Sequence, residues 1–118
     1  MSRRDWSLLI EDMLEAIDKI TAYLVGYDEQ RFQADSRTVD AVVRNLEVLG
    51  EAANALPAAI QATAPDLDWR GLVGLRNRLI HEYFGVSLSI VWVIAIQELP
   101  ALRAQLQVCR DQLSAESQ

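Results

Sequence analysis

Apolar residues recur at helical spacing along most of the chain. Trp6, Leu9, Ile10, Met13, Ile17, Ile20 and Leu24 form one stripe, with Glu11, Asp12, Glu15 and Asp18 opposite, and predict an amphipathic first helix. Gly26 is the expected stop, because glycine adopts the left-handed conformation that closes many helices. After a short polar connection, Asp35 or Ser36 is placed to cap a second helix, whose Val39, Val42, Val43, Leu46, Leu49 and Ala53 form another stripe up to Leu56, before Pro57. Pro57 and Pro65 bracket a short helical piece or loop. Asp66 and Asp68 stand ahead of Trp69, where a carboxylate accepts the unpaired N–H groups of a new helix. That helix is expected to run from Trp69 to Phe84 and to end at Gly85. Ser87 or Ser89 is expected to cap the last helix, carried by Val91, Ile94, Leu102, Leu106, Cys109 and Leu113. Pro100 should kink it, having no N–H for the carbonyl four residues earlier. Ser114 to Gln118 read as a frayed tail. No strand alternation or internal repeat is present, so the pattern predicts an all-α fold: an antiparallel bundle of four main helices plus a short one.

Composition narrows the class. A chain of 118 residues, 51% of them hydrophobic, fits one domain over 1–118 that folds without staples. The longest apolar stretch, Leu88 to Ile96, is far below the ~20 residues of a membrane span. The opening Met1-Ser2-Arg3-Arg4-Asp5 leads into a segment broken by Glu11 and Asp12, unlike a secretory signal, so a cytoplasmic location is expected. The single cysteine, Cys109, has no disulfide partner. With one histidine and one cysteine in the chain, neither a transition metal nor another cofactor is expected. Cys109 reads as a small apolar filler, Trp6, Trp69 and Trp92 as core, and Asp66 and Asp68 as caps in preference to a catalytic pair.

Charge directs attention to one segment. The net charge of −6 argues against broad adhesion to nucleic acid, which depends on neutralising phosphates. From Trp69 to His81, however, the chain carries three arginines (Arg70, Arg76, Arg78) and no carboxylate, which leaves −9 on the remainder. A local positive site on an acidic body suits one phosphate. The sole histidine, His81, lies in that segment. On a helix Asn77 and His81 share a face, as do Arg76 and Tyr83, whereas Arg76 and His81 diverge by roughly 140°. They converge only on a groove made by a neighbouring helix or by the same helix of a second subunit. The residues by themselves also fit simpler roles: His81 binding the last carbonyls of its helix, Arg76 pairing with a carboxylate, and Tyr83 packing its ring.

Arg76-Asn77-Arg78-Leu79-Ile80-His81-Glu82-Tyr83 resembles the R-x4-H-x-Y motif of the HepT branch of the HEPN superfamily, the toxins of HepT/MntA toxin–antitoxin pairs. Arg44 to Ala52 is similar to that family's second-helix block, and Trp92 followed by Leu99-Pro100 resembles its closing helix, so the likeness covers nearly the whole chain. The resemblance implies a HEPN-like homodimer whose two motifs meet across the interface in a composite ribonuclease cleft. It implies metal-independent RNA cleavage with Arg76 and His81 as catalytic residues and Asn77 as a neighbour in the cleft. Tyr83 takes the position that an MntA-like minimal nucleotidyltransferase antitoxin modifies with AMP. The role of Glu51 stays open.

That chemistry is physically sound. Histidine titrates near neutrality and can move the proton of a ribose 2′-OH, while arginine stays cationic beside a phosphorus that gains negative charge. An alternative of another class is a noncatalytic nucleotide- or RNA-binding subunit of a nucleotidyltransferase complex. A third reading makes the bundle a dimerisation scaffold.

Overall fold

The computed structural model describes residues 3–79 and 88–116, and all regular structure among them is helical. Helix α1 (Arg3–Tyr23) buries the expected stripe: Ile10, Met13, Ile17 and Ile20 are sealed from solvent, with Trp6 and Leu9 packed at the edge of the same core. Beyond it Gly26 takes φ +79°, a conformation open to glycine at little cost.

The polar connection that follows contains a helix absent from the sequence-based expectation. Asp28 accepts the Arg31 N–H at 2.7 Å and starts α2 (Glu29–Ala34), whose Phe32 is fully buried and lies 5.5 Å, centroid to centroid, from Trp92. A helix of six residues with one core side chain carries no readable periodicity. Asp35, not Ser36, then caps α3 (Ser36–Ala55) by accepting the Thr38 N–H at 3.2 Å. Its second oxygen accepts the Tyr27 hydroxyl at 2.6 Å and the Thr38 hydroxyl at 2.8 Å. These bonds, that from Tyr27 foremost, favour the charged form and lower the Asp35 pKa to about 2. At the far end of α3, Gln61 of the short α4 (Ala58–Gln61) donates to the carbonyl of Leu56 (3.3 Å) and to that of Ala53 (3.2 Å), which also accepts the Leu56 N–H at 3.2 Å.

The C-terminal third consists of α6 (Leu88–Val93), a π-turn (Ile94–Glu98) and α7 (Leu99–Glu116); α5 (Trp69–Val73) is described with the site. Ser89 lies in α6, where it accepts a bond from Gln33 at 3.2 Å; Ser87 and the segment that leads into this helix lie outside the described residues. The kink expected at Pro100 takes the form of the π-turn, in which the Leu99 N–H reaches back to the carbonyl of Ile94. Pro100 offers no N–H to the carbonyl of Ile96 and its ring crowds that oxygen, and the wider turn before it relieves both.

Helix α1 packs along α3 and α7, α2 sits against α3 and α6, and α5 against α3. From α7, Leu106, Cys109 and Leu113 complete the core, and burial pushes the Cys109 thiol pKa up, as suits an inert filler. Among the described residues no helix is long and apolar enough to cross a membrane.

Candidate active site

The arginine-rich segment begins where Asp68 accepts the Gly71 N–H at 2.9 Å and so caps α5 (Trp69–Val73). Trp69 is buried and donates its indole N–H to the carbonyl of Ala64 at 2.9 Å, which fixes the entry of the helix against the preceding loop. Asp66 caps nothing here; its backbone carbonyl lies 3.4 Å from the Gln105 amide. The single helix expected from Trp69 onward is interrupted at Gly74 and resumes over 75–79. Hydrogen bonds continue through the break, from Gly74 N–H to Arg70 and from Arg78 N–H to Gly74, both at 3.0 Å, so the segment keeps its direction.

Leu72, Leu75 and Leu79 face inward and are buried, while Arg76, Asn77 and Arg78 are exposed. The leucine spacing alone dictates this: three apolar side chains on one face turn the residues between them to solvent. Across the core the segment lies against α3 at Gly50, whose backbone comes near Leu72, Leu75 and Arg76. The adjacent Glu51 is exposed, and among the described residues nothing joins it to Arg76.

The two motif arginines differ in their surroundings. Arg78 pairs with Glu98 of the π-turn, both Nη atoms reaching the carboxylate at 3.3 to 3.4 Å, with the two side chains half-exposed. Among the described residues no carboxylate pairs with Arg76. Between this segment and the π-turn runs a groove of about 270 Å³, its floor formed by Leu72, Leu75, Ile94 and Leu99, with Arg78 and Glu98 among the polar residues that line it. Thus the structure brings Arg76 and Asn77 to the surface together on one short helix. His81 and Tyr83 lie outside the described residues.

Two residues of this neighbourhood escaped the reading of the sequence. Glu98 carried no signal, since its pairing with Arg78 spans 20 positions and depends on the π-turn. Gly50 did carry one: a glycine on the buried stripe of a helix marks close approach of another backbone.

Comparison with known proteins fixes the lineage. The family model for HepT-like ribonucleases matches residues 13–109. The chain belongs to that family. A putative RNase of Methanocaldococcus jannaschii is 36% identical over 100 residues, covering 85% of this chain and 83% of its own. The probable ribonuclease HepT of Thermococcus cleftensis is 33% identical over 101 residues, 86% of this chain and 92% of its own. A further M. jannaschii protein, named as a gamma-glutamylcyclotransferase and putative RNase, is 29% identical over 111 residues, 94% of this chain but 50% of its own. In that relative the HepT-like part is one portion of a longer polypeptide. No solved structure matches the chain at a significant level. Membership in the HepT-like family implies a HEPN fold, in keeping with the all-helical architecture.

Proposed function

We propose that the protein is a metal-independent endoribonuclease toxin that acts as a homodimer, with Arg76 and His81 as its catalytic residues. The observation that carries this reading is membership in the HepT-like ribonuclease family over a span that contains the whole Arg76 to Tyr83 motif. The exposure of Arg76 and Asn77 on the 75–79 helix supports it, because a catalytic cation has to be reachable by a phosphate.

In the reaction, His81 takes the proton of a ribose 2′-OH as the oxygen attacks the adjacent phosphorus. The bond from phosphorus to the 5′-oxygen breaks, that oxygen takes a proton from the His81 imidazolium or from water, and the products are a 2′,3′-cyclic phosphate and a 5′-hydroxyl end. Arg76 stabilises the negative charge that accumulates on the phosphoryl oxygens in between. A dimer answers the angular divergence of the two residues: each motif supplies part of a cleft that the other completes. Asn77, one position from Arg76, borders that cleft.

Tyr83 is the regulated position. A minimal nucleotidyltransferase partner would transfer AMP from ATP to its hydroxyl oxygen, releasing pyrophosphate, and the attached phosphate would compete with RNA for Arg76. Coexpression with such a partner should add AMP masses to the intact protein, and Tyr83→Phe should abolish the addition.

The direct test uses purified protein in EDTA with an RNA oligonucleotide and its all-2′-deoxy counterpart. RNA should be cut to cyclic-phosphate products and the deoxy strand left intact. RNA binding without cleavage at any salt concentration, unchanged by His81→Ala, would instead establish a noncatalytic binding subunit.

A further inference from the structure

Gly50 sits on the buried face of α3 between Leu46 and Ala53, all three sealed in the core. Glycine weakens a helix interior relative to alanine, so its presence there calls for a local cause. A methyl group at this position would stand 3.0 Å from the carbonyl oxygen of Leu72, 3.3 Å from Cβ of Leu75 and 3.9 Å from the amide nitrogen of Arg76. The first two separations are tighter than ordinary contact, and a backbone carbonyl has no rotamer by which to move away. Residues 72–76 would have to retreat by a few tenths of an ångström. Leu72 and Leu75 also line the groove of about 270 Å³, which is unfilled space into which they can shift.

We propose that Gly50 is a positioning residue for RNA cleavage. Its missing side chain lets the segment that bears Arg76 and Asn77 lie directly on α3, and a larger residue moves the Arg76 guanidinium away from the reacting phosphate while leaving the fold in place. Gly50 itself touches no substrate. The proposal rests on the ribonuclease reading above. Transition-state stabilisation is steep in distance, so a shift too small to unfold the protein is large enough to slow it.

The experiment compares wild type, Arg76→Ala and Gly50→Ala for RNA cleavage, thermal unfolding and backbone amide spectra. Gly50→Ala is expected to lower kcat about tenfold with KM changed less than about threefold. Its Tm should stay within about 4 °C of wild type, because alanine's helical preference offsets the strained contact. The amide resonances of Arg76 and Asn77 should move while those of α1 remain in place. Wild-type kcat in Gly50→Ala, or a collapse of its Tm, overturns the positioning role while Arg76-dependent cleavage still stands. A wild type that does not cut, or that Arg76→Ala does not impair, overturns the ribonuclease reading and this proposal with it.

Discussion

Arg103 and Arg110 of α7 and Arg76 of the 75–79 helix have the same chemistry and different surroundings. On α7, Arg103 grips both carboxylate oxygens of Asp18 at 2.6 and 3.1 Å, and Arg110 bonds Glu11 through Nε at 3.0 Å. Both carboxylates lie on α1, so the helix that is acidic along its outer face is tied to the helix beside it. On the 75–79 helix Arg76 reaches solvent with no described carboxylate against it, and Arg78 is held by the longer contact to Glu98. A guanidinium matched to a carboxylate is spent on structure, whereas one kept away from carboxylates remains able to take a phosphate. Net charge alone obscures this division. The −6 of the chain is the sum of −9 on the remainder and +3 on the stretch from Trp69 to His81.

The largest expected effect comes from the histidine that the arginine segment leads into. His81→Ala should reduce RNA cleavage by about 10²- to 10⁴-fold, the usual contribution of a general acid or base, with no fall in Tm. Cleavage that persists would assign the segment's positive charge to binding alone.

Acid should separate the regions next. Hydrogen bonds from Arg103 hold the Asp18 carboxyl below its ordinary pKa, and those from Tyr27 and Thr38 bring Asp35 to about 2. A depressed folded-state pKa means that the stabilisation is fully present above the unfolded value near 4 and is lost as pH falls through the folded value. Tm should therefore be flat from about pH 7 to 5 and fall below about pH 4, less steeply in Asp35→Asn. Cleavage should change with pH inside the range where Tm is constant, because a histidine that is already protonated cannot take the 2′-OH proton. Coincident profiles would mean that activity reports folding.

Glu98→Gln offers a smaller and sharper probe. Releasing Arg78 from its half-exposed partner should add a free cation beside Arg76 and tighten RNA binding by about two- to fivefold, with a steeper salt dependence. Unchanged affinity would confine the phosphate site to Arg76.

Much of the scaffold was legible in the pattern of apolar positions. The stripes from Ile10 to Leu24 and from Val39 to Ala53 are long enough for the helical period to be unmistakable, and both are buried as expected. The short α2 was not legible, because a single side chain, Phe32, carries its packing. The π-turn was foreshadowed by Pro100 only as a kink of unspecified kind. At the site, the burial of Leu72, Leu75 and Leu79 accounts for the exposure of Arg76 and Asn77, a spacing present in the sequence but unread there. The tether of Arg78 to Glu98 was hidden, because it exists only once the π-turn is folded beside the 75–79 helix. Gly50 shows the intermediate case: visible as an anomaly on a core stripe, it has a meaning only when the facing backbone of Leu72 is in place.

The contrast between the two arginine environments is tested most directly by measuring RNA turnover and Tm side by side in Arg76→Ala and Arg103→Ala. Arg76→Ala should lose about 10²- to 10³-fold in kcat at an unchanged Tm. Arg103→Ala should keep wild-type turnover and lower Tm by no more than about 4 °C, as befits a half-exposed ion pair. An Arg76→Ala protein that turns over RNA at the wild-type rate but unfolds at lower temperature would contradict the account, placing Arg76 with the scaffold and leaving the cleft without its cation.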